Sequence, residues 1–161
     1  MRKIILVPVC VLIFFLAEFF LYNMVGRIFV PDLLLLAIIY FNLAFGIRYS
    51  IYAAVLAGIM KGSFSTDMFG FHIFSFVLCA YVTTVLKRYL HYVASHRSRL
   101  LLVFLIILTN LLIQLLLRSI VGEIDPIQCF KFVFVPEILM TLVVTSFIFA
   151  ELKKCVSRLF V

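Results

Sequence analysis

The sequence predicts an all-α membrane protein, a bundle of six transmembrane helices, and three observations support this prediction. Hydrophobic residues make up 66% of the 161 residues, they fall into six long runs, and the charged residues lie mostly in the gaps between those runs. A hydrocarbon core about 30 Å thick needs about 20 apolar residues for each helical span. The composition supplies six spans and shows no soluble domain beside them, so we expect residues 1–161 to form a single integral membrane domain.

The apolar runs set the bounds of the predicted spans, which are residues 4–25, 28–45, 51–60, 71–86, 100–117 and 132–150. The first run follows Arg2 and Lys3 and has no small-residue cleavage site before the second run, so we expect a retained helix and not a signal peptide. The third run is too short to cross a membrane. It either begins within the turn at residues 46–50 or is a partial span completed by irregular backbone buried in protein.

The basic residues predict the orientation, because Lys and Arg are retained in short cytoplasmic loops. With the N-terminus inside, ten of the 14 basic residues lie on the cytoplasmic side. The other four lie on the outer side, and these are Arg27, Lys61, Arg118 and Lys131. We therefore predict a multi-pass protein of the bacterial cytoplasmic (inner) membrane with both termini in the cytoplasm.

The net charge of +7 fits an anionic membrane surface better than nucleic acid. The predicted cytoplasmic loop at residues 87–99 interleaves basic groups with tyrosine and aliphatic residues, so it could lie among lipid headgroups. The same loop could equally be a helix extension that carries topogenic charge, or a docking site for a cytoplasmic partner. We expect membrane lipid as a partner and no nucleic acid.

Among the polar side chains inside the predicted spans, three stand out, and each needs a partner. Glu18 lies near the outer half of the first span, and Asn110 and Gln114 of the fifth span share one helix face because they are four residues apart. Glu18 could be an ion or substrate ligand with Asn110 or Gln114 as its partners. The alternative, favoured because we expect no other buried carboxylate, is a carboxyl group that hydrogen-bonds inside the bundle.

The sequence offers no convincing catalytic, cofactor or metal site. Ser65, Asp67 and His72 would be neighbours on the outer side, but no nucleophile motif or glycine pattern frames them. The four cysteines have no metal-ligand spacing, and there is no phosphate-binding or dinucleotide-binding glycine loop. We predict that the protein is not an enzyme and that it needs no cofactor.

Residues 31–89 resemble MreD, the small integral membrane component of the bacterial rod-shape, or elongation, complex. The resemblance rests on three elements: Pro31 followed by an apolar run, the spacing of Gly46, Gly58 and Gly70, and the sequence Phe-Gly-Phe-His at residues 69–72. The total length, the six spans and the basic loop after the fourth span also fit. Family members often carry an acidic residue four positions after Gly58, whereas this chain has glycine there, so no role is carried over to that position.

The resemblance implies a compact six-helix fold similar to the substrate-binding subunits of energy-coupling-factor transporters. It also implies a non-enzymatic role: binding the bitopic protein MreC and helping to couple MreB filaments to RodA and its partner transpeptidase. We expect part of the partner surface at the outer ends of the second and fourth spans and in residues 61–70. Aromatic rings are common at interface hot spots, and the candidate residues are Phe64, Asp67, Phe69, Gly70, Phe71 and His72.

A solute-binding subunit of an energy-coupling-factor transporter is the alternative function, because it would share the expected fold. Such a subunit would need small residues on the cytoplasmic part of its first span to contact the energising module. In this chain the first span is bulky and aromatic from Val7 to Tyr22, which favours the scaffold. An intramembrane enzyme ranks third, since no nucleophile or metal set supports it.

Overall fold

The computed structural model describes residues 2–25, 31–64, 70–89, 96–121, 138–145 and 147, and these are almost entirely helical. Five helices follow one another along the chain, and residues 138–145 form a further helical stretch, α6. The five are α1 (Arg2–Val25), α2 (Leu33–Phe45), α3 (Ile47–Phe64), α4 (Phe71–Tyr89) and α5 (His96–Val121). The all-helical fold class is therefore confirmed.

Three of the helices are long and apolar enough to cross a membrane, namely Ile5–Met24, Phe71–Tyr89 and Leu100–Leu117. α2 is apolar but shorter, because its helix begins at Leu33 with Asp32 as its N-cap. The described residues thus contain three candidate spans, and not the six that the sequence predicts. Residues 26–30 and most of the predicted span at 132–150 lie outside the described part of the chain.

The predicted third span at residues 51–60 is too short. Of its two alternatives, the start within residues 46–50 is confirmed, because α3 is one continuous helix from Ile47 to Phe64. The prediction stopped at polar residues, but the helix continues through them since their side chains find partners. Ser50 donates a hydrogen bond of 3.1 Å to the carbonyl of Ile38 in α2, and Lys61 forms ion pairs. No irregular backbone is needed within this helix.

Small residues let α3 approach its neighbours closely. Every fourth residue on one face is small and buried, the set being Ser50, Ala54, Gly58 and Gly62. A Cβ atom on Gly58 would lie 2.5 Å from the Cα of Ile73 in α4, so any side chain there would force the two backbones apart. Gly58 therefore serves the close packing of α3 against α4. Left-handed backbone occurs at Gly46 and Gly70, which connect helices.

α2 lies at the centre of the bundle, and α1 lies at its edge. Every residue from Leu33 to Asn42 is buried, because α2 contacts α1, α3, α4 and α5. In α1 only about a tenth of the apolar segment is buried, through Val7 and Val11 among others. Successive helices run in opposite directions, so the start of α2 and the end of α3 meet at one end of the bundle, the Lys61 end. The end of α4 meets the end of α2 at the opposite, Lys87 end.

Candidate functional site

Three charged side chains from three successive helices meet at the Lys61 end. The Nζ atom of Lys61 in α3 lies 3.0 Å from Oε1 of Glu18 in α1 and 2.9 Å from Oδ1 of Asp32 at the start of α2. Asp32 is only 3% exposed, and the side chains of Glu18 and Lys61 are largely buried. We call this group, together with Asn110, the ionic cluster.

The start of α2 supplies backbone donors to both carboxylates. The N–H of Leu35 donates to Oδ1 of Asp32, which is the N-cap arrangement, and the N–H of Leu34 donates to Oε2 of Glu18; both distances are 3.2 Å. The first N–H groups of a helix have no partner within the helix, and the helix dipole favours negative charge there. The position of the two carboxylates therefore satisfies donors that would otherwise be unpaired inside the bundle.

Asn110 of α5 connects the ionic cluster to α4. Its Nδ2 atom lies 3.5 Å from Oδ2 of Asp32, and its Oδ1 atom accepts a short hydrogen bond from the hydroxyl of Ser75. The thiol of Cys79 and the amide of Gln114 also point at Oδ1 of Asn110, at 3.8 and 3.5 Å. The buried amide of Asn110 thus contacts the carboxylate of Asp32 and accepts from donors on α4 and α5.

Two further contacts complete the surroundings of the ionic cluster. The backbone N–H of Asp32 donates to the hydroxyl of Thr141 in α6 at 3.2 Å. The ammonium of Lys61 lies 5.6 Å from the ring centre of Phe76, a distance at which the ring face attracts a cation. The cluster therefore contacts every described helix of the bundle.

The ion pairs of this cluster hold α1, α2 and α3 together. With all three groups ionised, two carboxylates face one ammonium, and the positive end of α2 offsets the remaining negative charge. Each charged group already bonds to another part of the chain. Within the described residues, no group of three or more His, Cys, Asp or Glu side chains could hold a metal ion.

The partners of the predicted intramembrane polar residues differ from those considered in the sequence. Glu18 bonds to Lys61 and to the start of α2, whereas Asn110 and Gln114 belong to the surroundings of Asp32. The expectation that no other carboxylate lies within the bundle is wrong, because Asp32 is buried.

Asp32 and Lys61 are the members of the site that the sequence analysis missed. A signal was present for Lys61, because Ala57 and Ala53 lie four and eight residues before it and both are buried, so a helix that continued past residue 60 would bury position 61. A lysine that continues a face of small residues indicates a buried ion pair. The carboxylates of Glu18 and Asp32 also need a cation inside the bundle, and this would have been a second indication of the same ion pair.

The described residues of the predicted partner surface differ in exposure. Phe64 is 67% exposed, and its ring packs 5.2 Å from Phe15 and 5.8 Å from Phe19 of α1. Gly70 precedes α4, Phe71 is half-buried, and His72 is only 5% exposed, with its ring 6.2 Å from that of Phe76. Asp67 and Phe69 lie outside the described residues. Among the described members of this surface, Phe64 is therefore the most exposed.

A second polar contact, which the sequence analysis also missed, lies toward the Lys87 end. Nδ2 of Asn42 in α2 donates to the carbonyl of Ala80 in α4 at 2.7 Å and lies 2.9 Å from the hydroxyl of Thr84. Lys87 donates to the carbonyl of Leu43 at 3.1 Å, at the end of α2. We call Asn42, Thr84 and Lys87 the amide lock, because they fix the end of α2 against α4.

The described helices include three of membrane-crossing length, and their buried polar side chains form contacts between helices. These features define the class of this molecule, an all-helical membrane protein. The chain belongs to the MreD family, because the family model described as rod shape-determining protein MreD matches residues 1–155. Comparison with curated proteins and with solved structures finds no match. Membership implies a role in rod shape determination, in a family that is not known for catalysis.

Proposed function

We propose that this protein is a non-enzymatic scaffold of the bacterial cell-elongation complex, which binds MreC and helps to couple MreB filaments to RodA and its partner transpeptidase. The observation that carries the proposal is the match to the MreD family over residues 1–155. The ionic cluster supports it, because its charged groups bond to each other and to the start of α2. A protein whose buried polar groups tie its own helices together is suited to holding a fixed surface toward partners.

The proposed scaffold crosses the bacterial inner membrane six times with both termini in the cytoplasm. The alternating directions of α1 to α4 and the ten-to-four division of the basic residues support this topology. We expect position 123 to be outside and position 95 inside. Single cysteines at these positions, in a variant whose four native cysteines are replaced by serine, would be labelled in intact cells with a membrane-impermeant reagent. Reaction at 95 without reaction at 123 would contradict the topology.

Co-purification with MreC tests the scaffold function itself. Affinity capture of the tagged protein from native membranes is expected to recover MreC, and a failure to recover it would contradict the proposed function. The Phe64→Ala and Phe69→Ala variants then test the predicted surface, since aromatic side chains dominate the binding energy of many interfaces. Phe104→Ala is the matched control, because Phe104 is also an exposed ring but lies on α5. Undiminished MreC in the double variant would place the contact elsewhere on the bundle.

A further inference from the structure

Two exposed arginines belong to neighbouring helices at the Lys87 end of the bundle. Arg48 is the second residue of α3, and Arg88 lies in the last turn of α4. Both residues are exposed. An α-helix rises about 1.5 Å per residue, so the 18 residues of α3 span about 27 Å, close to the thickness of the hydrocarbon core. The two arginines therefore lie at the level of the lipid headgroups.

The contact between α3 and α4 shows which side of this helix pair carries Arg48. Gly58 faces Ile73 across the contact, and each residue turns an α-helix by about 100°. On α3, Arg48 is turned by about 80° from Gly58 to one side. Ser50 is turned equally far to the other side, where it bonds to α2. Arg48 therefore lies on the side of α3 that faces away from α2.

The same geometry on α4 places Arg88 on the matching side. From Ile73, Arg88 is turned by about 60° to one side and Lys87 by about 40° to the other. Lys87 donates to the carbonyl of Leu43 at the end of α2, so its side marks the direction of α2. Arg88 consequently also faces away from α2. The two guanidinium groups thus border the same side of the α3–α4 pair.

The two arginines also lie at similar heights along the helix axes. Arg48 precedes Gly58 by ten residues, and Arg88 follows Ile73 by fifteen. Because α3 and α4 run in opposite directions, both distances lead toward the Lys87 end, and they differ by about 7.5 Å. Long arginine side chains can span such a difference. Tyr52, which is 43% exposed, lies one turn from Arg48 on the same face and adds a hydroxyl donor.

These two cations have no anionic partner within the described residues. The described acidic residues are Glu18 and Asp32, and both contact Lys61 at the opposite end. Two like charges on one surface repel each other unless an anion lies between them. A guanidinium group offers a fork of N–H donors that matches a phosphate group. The connection between α2 and α3 is the single residue Gly46, so no long loop carries Arg48 away from the phosphates of the headgroups.

We propose that Arg48 and Arg88 hold the phosphate of an anionic phospholipid between them, on the side of the α3–α4 pair opposite α2. The Tyr52 hydroxyl is placed to donate to the same headgroup. The two positive charges select anionic over zwitterionic lipid. The site is independent of the MreC contact, and in the proposed topology it lies in the cytoplasmic leaflet, where anionic lipid attracts basic side chains.

Native mass spectrometry of the full chain, released from detergent micelles, tests the site by counting individual bound lipids. Phosphatidylglycerol and phosphatidylcholine are titrated separately, and we expect the unaltered protein to bind phosphatidylglycerol more tightly. Arg48→Gln and Arg88→Gln should each weaken phosphatidylglycerol binding about fivefold and leave phosphatidylcholine binding unchanged. Equal affinities of the unaltered protein for the two lipids overturn the proposal.

Lys87→Gln is the matched control, because it removes the same charge at the same end of the bundle. The new amide can still donate to the carbonyl of Leu43, and we expect phosphatidylglycerol binding to be unchanged. A loss as large as that from Arg48→Gln would indicate diffuse attraction by basic residues and overturns the proposal. Displacement of the lipid by an equal concentration of glycerol phosphate or of a glutamate-rich peptide also overturns it, since the ligand is then a free phosphate or an acidic protein.

Discussion

The ionic cluster and the amide lock both tie α2 to its neighbours, but they do so with different chemistry. At the Lys61 end, charged side chains from three helices neutralise one another. Toward the Lys87 end, a neutral amide bonds to a carbonyl and a hydroxyl, and the only charged member donates to a carbonyl at the edge of the bundle. Removing one member therefore leaves an unpaired charge in the ionic cluster but only an unpaired neutral group in the amide lock.

This difference decides how tolerant each end is to substitution. Removing one partner of a buried ion pair leaves an uncompensated charge, which is far more costly than the loss of the pair itself. Removing one partner of a neutral hydrogen bond leaves a dipole that finds other donors or acceptors nearby. The oxygen of Ala80, for example, also accepts from the hydroxyl of Thr84. We expect the ionic cluster to be the sensitive end of the molecule.

The largest effect is expected from Lys61→Met. This change leaves the carboxylates of Glu18 and Asp32 facing each other without a cation, and we expect a loss of about 3–5 kcal/mol of stability. Thermal unfolding of the purified protein in nanodiscs measures the loss. Arg88→Met is the matched control, because Arg88 is an exposed basic residue outside both polar contacts and, in nanodiscs of zwitterionic lipid, should change stability by no more than about 0.5 kcal/mol.

A neutral version of the same site separates charge from packing. Adding Glu18→Gln and Asp32→Asn to Lys61→Met removes all three charges, and this triple variant should recover most of the lost stability. If Lys61→Met is as stable as the Arg88→Met control, the ionic cluster is not the sensitive end, and the contrast between the two ends fails.

An intermediate effect is expected from Asn42→Leu at the amide lock. The change keeps a side chain of similar size but removes the bonds to Ala80 and Thr84, so we expect a loss of up to about 1.7 kcal/mol, the upper value measured between membrane helices. Thr84→Val and the double variant complete a thermodynamic cycle that isolates the coupling between the two residues. A loss as large as that of Lys61→Met would remove the distinction between neutral and ionic ties.

The smallest effect is expected from Glu18→Gln. Lys61 keeps its contact with Asp32, and the new amide oxygen can still accept from the N–H of Leu34, so a change of about 0.6 kcal/mol is expected. Thermal unfolding and the restoration of rod shape in a deletion strain measure stability and function separately. Normal folding with complete loss of rod shape would indicate that the charge of Glu18 acts in an ion- or proton-linked step.

The helices of the fold could be predicted from the sequence where apolar residues alone determine them. Residues 4–25, 71–86 and 100–117 were identified by length and hydropathy, and α1, α4 and α5 cover them. The bounds of α3 could not be found in this way, because Lys61 and Gly62 look like loop residues until their partners are known. Hydropathy measures transfer of an isolated side chain and contains no information on ion pairs that form across helices.

The site was predicted only in part for the same physical reason. Glu18, Asn110 and Gln114 stand out because each is polar within an apolar run. Asp32 lies near the start of one predicted span and Lys61 just after the end of another. They come inside the bundle because Asp32 is the N-cap of α2 and because α3 continues past residue 60. Asn42 and Ser50 bond to backbone carbonyls of other helices, and a single sequence does not indicate which carbonyls will be near.

The membership of the ionic cluster has a consequence for the order in which the protein is made. Glu18, Asp32 and Lys61 belong to three consecutive helices, so during synthesis the two acidic residues leave the ribosome before the cation that neutralises them. A lone carboxylate at membrane depth is unfavourable by about 2.5–3.5 kcal/mol even on the scale of the insertion machinery. The first two helices are therefore expected to stay beside that machinery until the third arrives, which makes α1 to α3 a single unit of membrane insertion.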